Sequence, residues 1–274
     1  MPKKTIPHTT GGEKKPPEAA HHGAPEPTGG PPPFPEIVWR GPFAEYRAAM
    51  AGTTEAPDVF HFAALWAVAG AYLRRRVFIR CGLPLYPNVY LVTVGVTGDT
   101  KKTTAMRLAE SLLPEHGVKV LRGVGSAEAL ADWMGELKGD SPLIILEEFA
   151  TLLGRGGWQR STLLPFLTET FDCPSVYEAP FRTNPITVVE PTPTLYAGTT
   201  PEWFWKAMHE VDFHGGFGNR LFFLAGAPKA PISMPHEPNE AHLNVVREAI
   251  KGLAHILMHP LSGSSGSRVG DVTV

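Results

Sequence analysis

The chain has 274 residues, room for one or two domains of ordinary size with a substantial core and no need of a disulfide staple. Its 25 Lys and Arg against 27 Asp and Glu leave a formal net charge of -2. That balance excludes the basic excess of a protein that coats nucleic acid, so any polyanion must be gripped locally. Cys81 and Cys173 stand far apart with no C-x-x-C or His/Cys spacing, which excludes a zinc ribbon and argues against a disulfide-rich secreted module.

Ten of the 28 prolines fall in residues 1–35, among Gly, Lys, Glu and His, a composition too poor in apolar side chains to offset chain entropy, and a disordered tail is predicted there. No signal-peptide core is visible at the start, so a cytoplasmic location is expected. Helices follow over 43–52 and 57–74, making a small helical segment over 36–80. The second carries the longest apolar stretch, 59–73, interrupted by His61. It falls short of the ~18–20 residues of a membrane span, so it reads as a buried core helix and no membrane association is expected. Arg74-Arg75-Arg76 closes it, where cations suit the negative helix end.

From residue 81 to about 260, short apolar runs alternate with helical patterns, the pattern of a parallel sheet wrapped by helices. Strands are predicted at 88–94, 118–121, 143–147, 194–197 and 221–225, rich in Val, Ile and Leu as strands covered on both faces are. Helices fit 102–113, 126–138, 161–171, 201–210 and 239–258, and residues 261–274 read as a second disordered tail.

The first core strand runs into Gly95-Val96-Thr97-Gly98-Asp99-Thr100-Lys101-Lys102-Thr103-Thr104 and then into an amphipathic helix. Strand, glycine-containing loop, lysine, hydroxyl and helix is the context of a P-loop, in which backbone N–H groups and a helix start attract phosphates, an ammonium neutralises them and a hydroxyl ligates Mg²⁺. The motif expects Gly immediately before its lysine, and here Lys101 stands there. Either Lys101 or Lys102 fits the lysine position; Lys102 is preferred because the hydroxyl of Thr103 follows it. The candidate nucleotide-binding residues are thus Gly95, Thr97, Gly98, Asp99, Thr100, Lys101, Lys102, Thr103 and Thr104.

The strand at 143–147 ends in Glu147-Glu148. In nucleotide hydrolases the first carboxylate at such a place holds Mg²⁺ and the next orients the attacking water. Thr103 and Glu147 are therefore the candidate metal ligands and Glu148 the candidate base. Thr199 at the end of a later strand suits either a polar sensor or the cap of the helix opening at Pro201. Arg220 precedes the last core strand; it reads either as an arginine finger, the place where ring-forming AAA+ ATPases carry one, or as a member of a local ion pair.

Taken together, LYPNVYLVTVGVTGDTKKTTAMRLAESLL, LIILEEFATLLGR, LLPFLTETFDCP, TPTLYAGTTPEWF and GGFGNRLFFLAG resemble the P-loop domain of phage- and plasmid-type replication proteins described as primase-associated or helicase-like. The resemblance covers about residues 37–226 and implies an ASCE-type ATPase core, a P-loop NTPase three-layer sandwich with strand order 5-1-4-3-2. It also implies ATP and Mg²⁺ as ligands and a DNA-related role as a motor or switch. The family's carboxylate pair is usually Asp-Glu, and Glu147 departs from it. A homo-oligomeric ring in which Arg220 completes a neighbour's Lys102 site is expected with it. Residues 176–185 read either as a structural loop or as a hairpin in which Phe181 offers a stacking face and Arg182 a phosphate contact, and in the second case single-stranded DNA is a further expected partner. The alternative is a nucleotide-binding interaction module with weak or no hydrolysis. A small-molecule kinase fares worse, since no Arg-rich lid is evident.

Overall fold

The structure is a computed structural model and describes residues 33–114, 118–140, 142–154, 162–179, 185–207 and 216–258. Helix α1 (Pro42–Met50) opens with a proline at its first position, where a missing N–H costs nothing. Helix α2 (Asp58–Leu73) has Asp58 in its first turn, favourable to the helix dipole, and stops at Arg74, whose φ of 55° breaks the helical run. Strands β1 (Ile79–Cys81) and β2 (Leu83–Leu85) form a small antiparallel hairpin around Gly82, which supplies a φ of +80°. The sequence reading did not anticipate it.

The succeeding elements are β3 (Tyr90–Val94), α3 (Lys102–Glu110), β4 (Lys119–Arg122), α4 (Ala127–Glu136), β5 (Pro142–Leu146), α5 (Ala150–Gly154) and α6 (Leu163–Phe171). After them come β6 (Val176–Ala179), β7 (Ile186–Val189), β8 (Thr194–Thr199), α7 (Pro201–Ala207), β9 (Leu221–Ala225) and α8 (Glu240–Met258). Strands β4-β5-β8-β3-β9, in that order, make a five-stranded sheet in which every pairing is parallel. The fold is α/β, a parallel sheet flanked by helices, compatible with a Rossmann-like or P-loop sandwich.

Side chains alternate across the sheet with the strand period of two. Leu91, Leu143, Ile145 and Tyr196 face a core shared with Tyr46, Leu65, Met106 and Val246 of α1, α2, α3 and α8. Tyr90, Val92, Ile144 and Leu195 face a second core with Leu130 of α4 and Phe166 and Leu167 of α6. The helical segment before the sheet therefore shares the core of one sheet face.

Because the strands are parallel, their C-terminal ends lie along one edge, where ligands of open α/β sheets bind. Val94 is level with Thr199, and Leu146 with Ala197, so the loop after β3, the carboxylates after β5 and the end of β8 converge. Leu221 is level with Tyr90 at the start of β3, which puts Arg220 at the opposite edge.

Strands β6 and β7 pair as an antiparallel hairpin, while its connecting residues 180–184, with Phe181 and Arg182, lie outside the described residues, as do residues 1–32 of the tail predicted over 1–35 and all of the tail predicted over 261–274.

Candidate functional site

The loop after β3 is packed too tightly for side chains at its entry. A Cβ on Gly95 would sit 2.6 Å from Thr100 Oγ1 and 3.0 Å from Phe60 Cζ of α2, so only glycine fits. Gly95 N–H donates to Thr199 O at 3.1 Å, and the hydroxyl of the buried Thr100 donates to Val96 O at 2.8 Å, closing the loop on itself. Gly98 turns the chain with a φ of +83°. Thr97 and Asp99 are exposed on the loop, and Thr103 and Thr104 are exposed on the first turn of α3.

Lys101, the residue where the motif expects glycine, has φ 45° and ψ 39°. The backbone thus takes the left-handed conformation natural to glycine, with a lysine in it, at a cost of about 1–2 kcal/mol. Lys102 is the first residue of α3, among the amides that a helix leaves without internal partners. Its Nζ donates to Gly95 O at 2.5 Å. Its stem crosses Gly198 of β8, where an added Cβ would lie 3.5 Å from both Cδ and Cε. Burial lowers the pKa of this ammonium from that of an ordinary lysine, and Glu148 and Glu202 oppose the shift.

Glu148 is held from two sides. Its Oε1 accepts 2.7 Å from the Thr199 hydroxyl and 3.3 Å from Ala150 N–H. Phe149 N–H donates to Gly198 O at 2.7 Å, tying the ends of β5 and β8 together. Thr199 is fully buried. The hydroxyl that caps α7 belongs to Thr200, which accepts from Trp203 N–H at 3.2 Å, so Thr199 is left to face Glu148. Glu147 is exposed and lines a small cleft together with Lys102 and Thr103.

Lys102, Thr103, Glu147, Glu148 and Thr199 therefore meet at one edge, and Arg220 does not join them. Its Nη2 donates to Asp172 Oδ2 at 2.6 Å and its Nη1 to Gly216 O at 2.9 Å, with the guanidinium 5.8 Å from the centre of the Phe171 ring. Arg107 and Arg122, which the sequence reading passed over, also line the cleft beside Lys102. The spacing of Thr103 and Arg107, one helical turn apart, was the available signal for the first.

Thr103 and Glu147 offer a hydroxyl and a carboxylate, oxygen donors of the kind Mg²⁺ accepts while keeping most of its waters. Among the described residues no three His, Cys, Asp or Glu side chains group as a metal cage. No protein-family model matches the chain, and no curated protein matches it. No helix of the described residues is long and apolar enough to cross a membrane.

Proposed function

We propose that this protein is a Mg²⁺-dependent P-loop ATPase of the ASCE type, acting as a helicase-like motor or switch in DNA replication of the phage or plasmid kind. One observation carries the reading: the Thr199 hydroxyl is bonded to the Glu148 carboxylate at 2.7 Å beside the half-buried Lys102, on the edge where the glycine loop ends. Numbered by chain order among the five core strands and read from β9, the sheet runs 5-1-4-3-2, which supports the same reading.

In this mechanism the free N–H groups of the loop and of the first turn of α3 take the phosphates of ATP. Lys102 exchanges its hydrogen bond to Gly95 O for one to a phosphate oxygen. Thr103 and Glu147 would hold Mg²⁺, which would supply positive charge against the phosphates. Glu148, aimed by Thr199, accepts a proton from water as the water oxygen bonds to the γ-phosphorus. The β–γ bridging bond breaks with its electron pair going to ADP, and orthophosphate leaves. Arg220, from its own edge of the sheet, serves a neighbouring copy in a ring, and single-stranded DNA is the expected polymer partner.

The second reading, a nucleotide-binding interaction module with little hydrolysis, is favoured by Glu147 standing where Asp is usual. ATP turnover by the full chain, with and without Mg²⁺ and single-stranded DNA, separates the two. Mg²⁺-dependent turnover supports the ATPase; tight nucleotide binding without turnover supports the module; absence of nucleotide binding overturns both.

A further inference from the structure

The cleft beside Lys102 continues along the flank of α3 toward the edge strand β4, and two of its lining residues, Arg107 and Arg122, are not accounted for by the nucleotide site. Lys102, Arg107 and Arg122 contribute three cations, and Glu147 is the sole acid among the described lining residues. Arg122 donates to Glu110 Oε2 at 2.5 Å through Nη2, which leaves its other guanidinium N–H groups available. Arg107 is exposed and has no carboxylate partner among the described residues. An exposed arginine beside a second one, over a floor of apolar side chains, is a fork for an oxyanion.

Tyr196 of β8, 3 % exposed, closes the cleft on its core side. Its hydroxyl is shut off from solvent among the hydroxyls of Thr93 and Tyr46, and burial pushes this phenol up to about 12.

We infer that the cleft bounded by Lys102, Arg107, Arg122 and Tyr196 is a second anion site, which takes the orthophosphate released by hydrolysis before it leaves the protein. The identity of the anion rests on the ATPase reading; the site itself rests on the lining. The cleft is small and open to solvent, and it shares Lys102 and Thr103 with the phosphate loop and Glu147 with the proposed metal site. Orthophosphate shed at the loop therefore has a cationic neighbour to enter without crossing the side occupied by Glu148 and Thr199.

The test is equilibrium dialysis of the full chain with radiolabelled inorganic phosphate, alone and with saturating Mg²⁺ and ADP. Binding of fluorescent ADP is measured separately on each variant. Phosphate is expected to bind one per chain and to persist with ADP present. Arg107→Ala and Arg122→Ala are expected to weaken phosphate at least about tenfold, the loss of a charge-assisted pair, with ADP affinity held within a factor of two. Circular dichroism confirms that each variant is folded. Absence of phosphate binding, its one-for-one displacement by ADP, or equal binding in Arg107→Ala and Arg122→Ala would overturn the site. Arginine-dependent phosphate binding in a chain that takes no ADP would uphold the site and remove the ATPase reading.

Discussion

Thr199 and Glu148, far apart in sequence, meet as a hydroxyl donating to a carboxylate at 2.7 Å, and this bond, beside that from Phe149 N–H to Gly198 O, links the ends of β8 and β5. Because Glu148 is also held by Ala150 N–H, its position and its basicity can be perturbed separately. Glu148→Gln keeps the shape and is expected to keep ATP affinity while slowing turnover by roughly 10²-fold or more, the scale of a lost general base. Thr199→Val removes the donor at nearly constant volume and should slow turnover by about tenfold, with Thr199→Ser restoring most of it. Steady-state turnover with nucleotide titration reads both; full activity in Glu148→Gln removes that carboxylate from the mechanism.

The two lysines of the loop differ in kind. Lys102 crosses Gly198 to reach Gly95 O, while Lys101 occupies a left-handed backbone position. Lys102→Ala is expected to abolish nucleotide binding and Lys101→Ala only to weaken it. Lys101→Gly relieves about 1–2 kcal/mol of backbone strain, offset by ~0.5–1 kcal/mol of extra freedom in the unfolded chain, so a net gain of about 0.5–1 kcal/mol is expected by urea unfolding. Selective loss of nucleotide binding in Lys101→Ala would show that the lysine roles are reversed, and destabilisation by Lys101→Gly would contradict the strain argument.

His61 sits inside α2 with both ring nitrogens buried and without partners. Burial, helped by the charge of Lys229 and opposed by Asp58, brings its pKa down from 6.5 to about 4. The unfolded chain thus binds this proton more readily than the folded one, and the contribution of His61 to stability, complete above pH 6.5, declines as pH falls toward about 4. The decline amounts to about 3 kcal/mol at the usual 1.36 kcal/mol per unit. Urea unfolding of the wild type and of His61→Leu between pH 4 and 7 reads the difference; an equal pH dependence in the two would show that His61 does not carry it.

Arg220 lies at the other end of the sheet, its side chain 24 % exposed, paired with Asp172 and donating to Gly216 O. Its loss is expected to cost about 1–3 kcal/mol of stability, the range for hydrogen bonds to charged groups. Arg220→Ala should spare folding and ATP binding yet remove hydrolysis, with an effect of ~10³ or more if the guanidinium serves a neighbour's transition state. Mixing it with Lys102→Ala protein should restore part of the activity, since some interfaces then pair an intact loop with an intact arginine. Unfolding of Arg220→Ala would make the residue a structural one, and an inactive mixed oligomer would exclude the shared site.

The sheet was readable because each parallel strand is covered on both faces and so appears as an unbroken apolar run, as in Pro142–Leu146, where every residue is buried. The β1–β2 hairpin gave no such signal, since Leu83 is 79 % and Leu85 57 % exposed and Pro84 interrupts the pattern. Helix α5 is five residues long, little more than one turn, too short to set up a period. At the site, Lys102, Glu147 and Glu148 were visible from the elements they terminate. The choice between Thr199 and Thr200 as cap was not, because adjacent hydroxyls at a strand end differ only in the direction each faces. Arg107 and Arg122 come together through the packing of a helix beside an edge strand, and no local spacing encodes that.

Helix α2 is pinned at two levels. Phe60 presses on Gly95 in the loop after β3, and at Gly70 a Cβ would overlap Pro87 O just ahead of β3. The two contacts lie ten residues apart along one helix, about 15 Å at 1.5 Å per residue. One residue inserted or deleted between them would swing the far contact by ~100° around the helix axis, so both cannot be kept. No residue of this stretch of α2 is exposed, so it should accept few substitutions, mostly at the partly buried Ala69, and no change of length, which makes its residue count as binding a constraint on the chain as the lysine in the loop.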